Sequence, residues 1–384
     1  MSALEIIFWC LVALILYSLG GYPLALTILT PFARRERFTS QGSQPVVSFM
    51  VAAYNEEANI AAKVKNLLAV AYPADKMEII IGSDASTDGT DRILSDLARS
   101  DRRIVAFRLG QRGGKVSVLN DAVGRSHGEL LIFTDCSVRS DTDIMEQIIP
   151  PFENPRIGLV SSRDVWVNAT DGTPLEQKQY VGYEMRIRRM ESRLNSLVSA
   201  SGSFFAVRRS LFRRYETDQA DDFSLPLQVY RQGYRVVHIG DLIGYVPMVK
   251  SSGAELARRT RIVQAGIRTV WANRALLNPL RYPVFAWQLW SHKVLKWCLP
   301  FVVFGAAVLA VWLSPHSPIY QIICVLGLLG LIMATIGAQA KGDFSALKPF
   351  RMAYFVALSM LAVVKAWGRI LRGASGTTWE PSHR

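Results

Sequence analysis

The stretch VVSFMVAAYNEE, residues 46–57, decides the fold of this chain. It begins with an apolar run that only Ser48 interrupts, which is typical of a strand buried on both faces, and it ends in the small and polar residues AYNEE. Short apolar runs of the same kind recur at residues 78–82, 104–107, 130–133, 204–207 and 234–239. Helical patterns lie between and after them, at residues 57–69, 90–99, 116–123, 174–195, 223–231 and 254–271. This alternation predicts an α/β domain with a doubly wound, mostly parallel sheet, whose ligands bind beyond the carboxyl ends of the strands.

The composition indicates a chain that is neither wholly soluble nor wholly embedded in a membrane. Half of its 384 residues are hydrophobic, and its formal net charge is +13. Such a charge favours contact with anionic lipid headgroups or the binding of an anionic ligand. Nucleic acid is not an expected partner, because no nucleic-acid-binding motif accompanies the charge. The four cysteines form no CxxC pair, which argues against a zinc site or a disulfide framework.

An apolar segment from Leu4 to Leu29 is long enough to cross a bilayer, and a basic cluster follows it at residues 34–37. The positive-inside rule therefore predicts an outer N-terminus and a globular domain on the cytoplasmic side. Segment 281–297 is aromatic and amphipathic, as is typical of a helix that lies in the membrane interface.

Two further spans are expected near residues 298–313 and 319–338. Segment 352–367 is a weaker candidate because it contains Lys365 and has basic residues on both flanks, so the sequence leaves open whether it spans, tilts, re-enters or lies in the interface. The predicted organisation is an N-terminal span (1–33), a globular domain (34–280), an interfacial helix (281–297), a region of two to three spans (298–372) and a polar tail (373–384).

Polar motifs follow the predicted strands at the edge where ligands are expected. Tyr54 and Glu56 follow the first strand, where an aromatic ring can pack on a nucleotide base. Asp84 follows the second strand, and its carboxylate suits the ribose or uracil edge of a uridine nucleotide. Both motifs also have a simpler interpretation as helix caps, with Asn55 as the capping residue of the first.

Two more motifs favour phosphate and a cation. Lys115 follows a pair of glycines at the start of a predicted helix, where backbone amides and the helix dipole attract phosphate. Asp135 ends the fourth strand, and its carboxylate can ligate a hard divalent cation that bridges two phosphates. Ser137 would add a weaker ligand. The alternative interpretation of Asp135 and Ser137 is again a helix cap.

The pair Asp221-Asp222 is followed by a cationic cluster at residues 258–261. A carboxylate that removes a proton from a hydroxyl group and fixed positive charge that stabilises a departing diphosphate are what a sugar transferase needs. One aspartate is enough to cap the predicted helix, so the second of the pair, Asp222, is the candidate for the catalytic role.

Taken in order, the segments strand-AYNEE, strand-GSDASTDGT, GGK-helix-ND, strand-TDCS, SGSFFAVRR and ADDFSLPLQVYRQGYRV resemble the family-2 inverting glycosyltransferases with a GT-A fold. The membrane-integrated polysaccharide synthases are the most similar subgroup, and the resemblance covers about residues 45–300. The resemblance implies that the protein is a multi-pass enzyme of the inner or plasma membrane. Its catalytic domain would lie in the cytoplasm, and its cofactor would be Mg²⁺ or Mn²⁺.

The resemblance also implies roles for individual residues. Those expected to bind the nucleotide sugar are Tyr54, Glu56 and Asp84 at the nucleoside, Lys115 at the diphosphate, Asp135 as the first acid of the DxD metal motif, and Arg258 and Arg261 at the QxxRW position. Asp222 matches the second acid of the ED motif, the general base, and Asp221 is its neighbour. The chain departs from the pattern at Ser137, the third DxD position, and at Arg258 and Ile262, which replace the glutamine and tryptophan of QxxRW.

The expected partners are a nucleotide-diphosphate sugar, with UDP as the first choice of nucleotide, an acceptor and membrane lipids. Three functions remain open: extension of an exopolysaccharide, capsule or lipid-linked glycan, transfer of one sugar to a polyprenyl-linked acceptor, and non-catalytic binding of nucleotide sugar in an export complex or with other subunits. A further hypothesis is that Trp379 and Arg384 of the tail dock on the globular domain and replace the missing aromatic residue and cation.

Overall fold

The computed structural model describes residues 2–33, 36–167, 175–216, 219–247, 255–339 and 348–374, with the backbone alone for 175–181. Within this part of the chain, eight strands pair into one sheet. They are β1 (Val47–Ala53), β2 (Met77–Ser83), β3 (Ile104–Arg108), β4 (Leu130–Thr134), β5 (Arg139–Ser140), β6 (Ile157–Val167), β7 (Phe204–Arg208) and β8 (Arg235–Pro247). Their order across the sheet is β3-β2-β1-β4-β7-β6-β8-β5.

The first half of the sheet is parallel, as the sequence predicts. Strands β3, β2, β1 and β4 run in one direction, so the ends of β1, β2 and β4 open on one edge. Strand β7 then reverses the direction against both β4 and β6, and β5 is antiparallel to β8, whereas β6 and β8 are parallel. The α/β class is thus confirmed, and the sheet is mixed.

Strand β6 is the element that the sequence patterns miss. Its run IGLVSSRDVWV has polar residues at its centre, so it shows neither a continuous apolar run nor clean alternation. It is nevertheless an interior strand, between β7 and β8. Strand β8 is also longer than predicted, because the pairing with β6 continues to Val167 and Pro247 after two register shifts.

Helices cover both faces of the sheet. Those of the N-terminal region are α1 (Ala3–Leu16) and α2 (Tyr22–Leu29), and those of the globular domain are α3 (Ile60–Leu68), α4 (Thr90–Ser100), α5 (Lys115–Arg125), α6 (Met145–Phe152), α7 (Leu175–Leu194), α8 (Asp221–Arg231) and α9 (Glu255–Ala272). Alternate residues of β1 face opposite sides. Phe49 and Val51 pack in the core that contains α3, whereas Met50 and Ala52 pack in the core that contains α5. Burial on both faces explains why β1 is apolar apart from Ser48.

Four helical segments of the described chain are long and apolar enough to cross a membrane: Ala3–Phe32, Pro283–Leu313, Pro318–Gln339 and Lys348–Leu371. The second contains α10 (Pro283–Leu289) and α11 (Leu295–Leu313), joined by a π-helical turn at Trp290–Val294. The predicted interfacial helix and the predicted span after it are therefore one continuous helical rod. The remaining two segments are α12 (Pro318–Gln339) and α13 (Lys348–Leu371).

A buried polar network joins the membrane helices to the globular domain. His292, in the π-helical turn, lies 2.8 Å from Glu191 and 2.9 Å from Glu184 of α7, one carboxylate at each ring nitrogen. Tyr22 of α2 donates to Glu191 at 2.5 Å, and Lys296 of α11 pairs with Glu184 at 2.9 Å. Breaking a buried pair is costly because it leaves a charge without its partner. This network therefore fixes the position of α7 against α2 and against the helical segment Pro283–Leu313.

Two features of the sequence analysis lie outside the described residues. They are the arginines at positions 34 and 35 of the basic cluster, and the tail residues Trp379 and Arg384.

Gly128, just before β4, should be intolerant of a side chain. A Cβ at this position would lie 2.6 Å from the backbone nitrogen of Ser48 and 2.8 Å from the carbonyl carbon of Val47, and the backbone of β1 cannot move aside. We expect Gly128→Ala to lower the free energy of unfolding by roughly 1–3 kcal/mol. The measurement is the thermal midpoint of the detergent-solubilised protein. Gly124→Ala is the matched control, since a Cβ there meets nothing within 4 Å. Equal midpoints for the two variants would contradict the expected clash between a side chain at position 128 and the backbone of β1.

Candidate active site

The turns that follow β1 and β2 interlock at the carboxyl edge of the sheet. The backbone nitrogen of Asn55 donates to Ser86 Oγ at 3.1 Å, and the backbone nitrogen of Thr87 donates to Asn55 Oδ1 at 2.8 Å. Asn55 and Ala85 adopt left-handed backbone conformations, with φ of 51° and 53°. Such conformations cost energy in residues other than glycine and cluster at functional sites. Here they aim the two motif loops at one surface.

The predicted nucleoside-binding residues lie on these two loops. The guanidinium of Arg112 stacks 3.9 Å above the ring of Tyr54, which leaves the ring half-buried. Glu56 is buried and accepts a hydrogen bond from the side chain of Asn59 at 2.8 Å. Both residues are therefore held in place by their own neighbours.

Asp84 is almost fully buried and organises the glycine loop. Its carboxylate accepts hydrogen bonds from the backbone nitrogens of Gly113, at 2.7 Å, and Gly114, at 2.9 Å. Gly114 has φ of 83°, a conformation that residues with a side chain rarely adopt. The next residue, Lys115, begins α5. The loop geometry therefore sets where the Lys115 side chain starts.

Lys115 joins two distant carboxylates. Its ammonium nitrogen lies 2.9 Å from Asp135, after β4, and 2.9 Å from Asp221, at the start of α8. Burial alone would lower the pKa of Lys115, but the attraction of Asp135 and Asp221 outweighs it and raises the pKa well above the usual range. The lysine therefore stays charged at every pH at which the protein would work.

Asp222 lies beside this cluster. Its backbone carbonyl accepts a hydrogen bond from Ala200 at 2.8 Å, and its carboxylate lies against Gly202, where a Cβ would come within 2.9 Å of an oxygen. Burial and the nearby charge of Asp221 raise the pKa of Asp222 to about 6, while Lys115 opposes the shift. A carboxyl group with a pKa near neutrality is suited to accept a proton.

Asp164 is a half-buried acid that sequence reasoning did not find. It lies on β6 and accepts hydrogen bonds from Ser201, at 2.5 Å, and from Ser203. Burial raises its pKa, and the charge of Asp135 raises it further. The serines stood in the SGSFFAVRR motif, but β6 was not predicted, so no signal in the sequence could place Asp164 beside them.

Lys63 is a second residue that was missed, and it is fully buried. It lies on α3 and donates to Thr134 Oγ1 and to the backbone carbonyl of Val138, both at 2.8 Å. Burial lowers its pKa to about 7. The two acceptors lie before and after Asp135 in the sequence, so Lys63 stabilises the turn that carries Asp135. Its position in an amphipathic helix gave no sign of this contact.

Positive charge also approaches Asp222 from the side of the membrane helices. Arg188 of α7 and Lys293 of the π-helical turn both act against the raised pKa of Asp222. The Nε and Nη1 atoms of Arg188 are buried, and no described group accepts a hydrogen bond from them. Lys293 lies 5.6 Å from the ring of Phe223, the residue after Asp222.

The arginines of α9 have other contacts. Arg258 pairs with Glu255 at 2.8 Å, and Arg259 pairs with the same carboxylate at 2.6 Å. Arg259 also bonds to Ser359 and lies 4.0 Å over the ring of Phe355, both on α13. Arg261 lies about one turn beyond Arg258 on the same helix. In the described contacts, the Lys115 cluster and the ion pair of Arg258 are therefore separate.

The residues after β4 fit a divalent cation with few protein ligands. Asp135 offers a hard carboxylate oxygen on a side chain that is 29% exposed. Among the described residues, no group of three or more His, Cys, Asp or Glu side chains is arranged to hold a metal ion. A cation at Asp135 would therefore take its other ligands from bound diphosphate, water and a weaker donor such as Ser137, which suits the oxygen-preferring Mg²⁺ and Mn²⁺.

Comparison with protein families agrees with the geometry. The profile of Glycosyl transferase family 2 matches residues 48–216, which include Asp84, Lys115 and Asp135. The profile of Glycosyl transferase family group 2 matches residues 137–338, more than half of the chain, and includes Asp222 and α9.

Curated relatives are synthases of two kinds. The chain is 35% identical to a beta-monoglucosyldiacylglycerol synthase of Nostoc sp. over 144 residues, which are 36% of this chain and 31% of that protein. The match thus spans about a third of the length of that relative. The chain is 24% identical to a poly-beta-1,6-N-acetyl-D-glucosamine synthase of Staphylococcus epidermidis over 295 residues, 73% of this chain and 70% of that protein.

A solved structure shares the fold over nearly the whole chain. It is a mannosyltransferase from Pyrobaculum calidifontis in complex with GDP-Man and Mn²⁺, with a TM-score of 0.73 and 21% identity. The match covers 96% of this chain and 99% of that one. The GT-A arrangement of the sheet and the attached helices is therefore common to both.

Proposed function

Because the chain belongs to the family 2 glycosyltransferases, we propose that it transfers a sugar from a nucleotide-diphosphate sugar to an acceptor hydroxyl at the membrane, with inversion. The observation that carries this proposal is the half-buried carboxyl of Asp222, whose pKa is about 6, beside the Lys115 bridge between Asp135 and Asp221. A proton acceptor and a site for diphosphate lie next to each other at the edge of the sheet.

Asp222 is the general base of the proposed reaction. Its carboxylate takes the proton of the acceptor hydroxyl while the hydroxyl oxygen bonds to the anomeric carbon. The bond from that carbon to the diphosphate oxygen breaks, and the electron pair leaves with the nucleoside diphosphate. Attack opposite the leaving group inverts the anomeric configuration. Asp221 keeps the pKa of its neighbour high and holds Lys115.

The leaving diphosphate needs positive charge. Lys115 is proposed to supply it, since donor binding can draw the ammonium group from Asp135 and Asp221 to the phosphates. Asp135, with Ser137 as a weak second donor, would hold Mg²⁺ or Mn²⁺, and such a cation neutralises negative charge on the diphosphate when bound. Arg258 and Arg261 remain proposed contributors from α9, and Arg258 would first have to leave Glu255.

The nucleoside is assigned to Tyr54, Glu56 and Asp84. The interlocked loops after β1 and β2 support this assignment, because they bring the three residues to one surface. We propose a second role for Asp84, which shapes the glycine loop before Lys115 through two backbone hydrogen bonds. UDP remains the expected nucleotide.

The acceptor is proposed to be lipid-borne and to receive one sugar. Phe223, next to Asp222, packs 6.3 Å from the ring of Trp297 at the start of α11, so the base lies where the domain meets its membrane helices. Ile262 stands where the resemblance expects the tryptophan of processive synthases. The glycolipid synthase among the relatives is the precedent for such an acceptor, and the polymer synthase represents the alternative, extension of a glycan.

Removal of the base should slow sugar transfer strongly and leave the binding of the donor nearly unchanged. We expect Asp222→Asn to lower turnover about 10²- to 10⁴-fold, because an amide cannot accept the proton. UDP binding, measured by calorimetry on the same detergent-solubilised variant, should stay within a few-fold of the unmodified chain. Asp241→Asn is the matched control, since Asp241 is an exposed aspartate on β8. Near-normal turnover of Asp222→Asn would exclude this residue as the base.

The pH dependence should follow the same carboxyl group. Asp222 is a base only when deprotonated, so kcat/KM should fall about tenfold per pH unit once the pH drops below about 6. In Asp221→Asn the acidic limb should move to lower pH, because the charge that raises the pKa of Asp222 is gone. A pH profile of the rate of sugar transfer for both proteins tests this. A limb that stays in place, or moves to higher pH, contradicts the coupling.

The number of sugars transferred distinguishes the two acceptor classes. Membrane vesicles that contain the full chain are given a panel of radiolabelled nucleotide sugars, and the products are separated by size and by lipid solubility. We expect a single lipid-soluble product. A ladder of products would instead identify glycan extension and would overturn the proposal of single transfer while leaving Asp222 as the base.

A further inference from the structure

The helix α13 meets every requirement of length and hydropathy for a span, yet its contacts place both of its ends on one side. Its first turn lies against the last turns of α12, where a Cβ on Gly337 would meet the carbonyl of Phe350 and the side chain of Tyr354. Ala334 and Gly337 are the buried residues of that end of α12. The helix therefore starts where α12 ends.

The second half of α13 lies along the globular domain. Ser359 and Phe355 contact Arg259 of α9. Beyond the end of the helix, the carbonyl of Ala374 accepts hydrogen bonds from Gln264 at 2.8 Å and from Arg268 at 2.6 Å, both on α9. Helix α9 carries several arginines and continues from the catalytic domain, so it does not lie in the hydrocarbon layer.

A third contact fixes the level of α13 relative to the spans. Trp367 donates its indole N–H to the carbonyl of Trp297 at 3.1 Å, and Trp297 lies in the first turn of α11, beside Gly266 of α9. The far ends of the spans meet elsewhere: Phe8, Leu313 and Tyr320 form a separate cluster. The two ends of α13 are thus both near the catalytic ends of α11 and α12.

The middle of α12 is exposed along most of its surface in the described chain. Its large side chains from Val325 to Ile332 are exposed, and the added Cβ of Gly327 or Gly330 meets nothing within 4 Å. A fourth span that returned beside α12 would cover this region. A helix of 24 residues is about 36 Å long, so crossing the bilayer would carry Ala374 to the opposite side from α9, to which it is bonded.

The exposed surface of α13 is divided by chemistry. At about 100° per residue, Val356, Leu361 and Val364 fall in one arc, and all three are more than 40% exposed. The exposed cations Lys365 and Arg369 fall in the adjoining arc. The buried residues of the helix, such as Ala366, face the protein. An apolar arc with a basic border is the pattern of a helix at the surface of an anionic bilayer.

We propose that α13 lies in the headgroup region of the membrane on the side of the catalytic domain, with its apolar arc in the lipid leaflet and its cations on anionic headgroups. The described part of the chain then crosses the bilayer three times, and Ala374 is on the catalytic side. This also accounts for the basic residues on both flanks of the helix, which the positive-inside rule disfavours for a span. The proposal does not depend on the chemistry assigned to Asp222.

Spin-label depth measurements distinguish a surface helix from a span. Cys10, Cys298 and Cys324 are replaced by alanine, and the buried Cys136 is kept. Single cysteines at Val356, Leu361 or Val364 are then labelled in the full chain in vesicles of phosphatidylcholine and phosphatidylglycerol. We expect three similar, shallow depths. Leu328→Cys, in the exposed middle of α12, is the matched control and should be deep. A Leu361 label as deep as the Leu328 label would overturn the proposal.

Two further measurements complete the test. An epitope tag after Arg384 should be reached by antibody in the same vesicle orientation as the catalytic domain and protected in the other, and access from the side opposite to the catalytic domain would overturn the proposal. The double variant Lys365→Glu and Arg369→Glu should make the Leu361 label shallower in vesicles with phosphatidylglycerol. Arg99→Glu, on the exposed surface of α4, is the charge-matched control and should leave that depth unchanged. An unchanged depth in the double variant would overturn the role of the cations.

Discussion

The site depends on the two ion pairs that the ammonium group of Lys115 makes. This group lies 2.9 Å from each of two carboxylates that enter from different parts of the chain, Asp135 after β4 and Asp221 at the start of α8. Carboxylates that are partly removed from water repel each other unless a cation lies between them, so the bridge is what allows Asp135 and Asp221 to approach each other at the end of the sheet. The buried glycine loop that Asp84 holds sets the origin of the lysine, and Lys63 supports the turn of Asp135 from the other side. The raised pKa of Asp222 follows from the same crowding.

The second constraint is the attachment of the catalytic domain to its membrane helices. The helix that carries Asp222 packs through Phe223 and Leu227 on Phe285 and Leu289 of the rod that leads into the membrane. The charged network around His292 fastens α7 to the same rod. Each fully buried apolar side chain contributes about 1.5–3 kcal/mol, so this interface is too stable to act as a loose tether. The proposed base would therefore keep a fixed height above the lipid, and α13, in its proposed position at the membrane surface, would hold α9 at the same level.

Much of the fold could be predicted, and the failures have physical causes. The runs around β1, β2, β3 and β4 are apolar because both faces of these strands are covered, and such runs can be recognised without a structure. The family assignment also followed from the motifs at their ends and is confirmed by two family profiles. Strand β6 was not predicted because polar residues at its centre interrupt the apolar pattern, and one of them, Asp164, bonds to two serines that lie far away in the sequence. The burial of Lys63 escaped because an amphipathic helix pattern does not show which polar residue faces inward.

The sequence by itself determined the class of the fold, the family, the existence of the membrane helices and the local motif at each strand end. All of these depend on residues that are near one another in the chain, through periodicity, hydropathy and turn chemistry. Only the tertiary structure decided that Lys115 joins Asp135 to Asp221, that Arg258 pairs with Glu255, that the predicted interfacial helix and the span after it are one rod, and where both ends of α13 lie. These are contacts between elements, often far apart in the chain, and they follow from how whole elements pack, which no local pattern encodes.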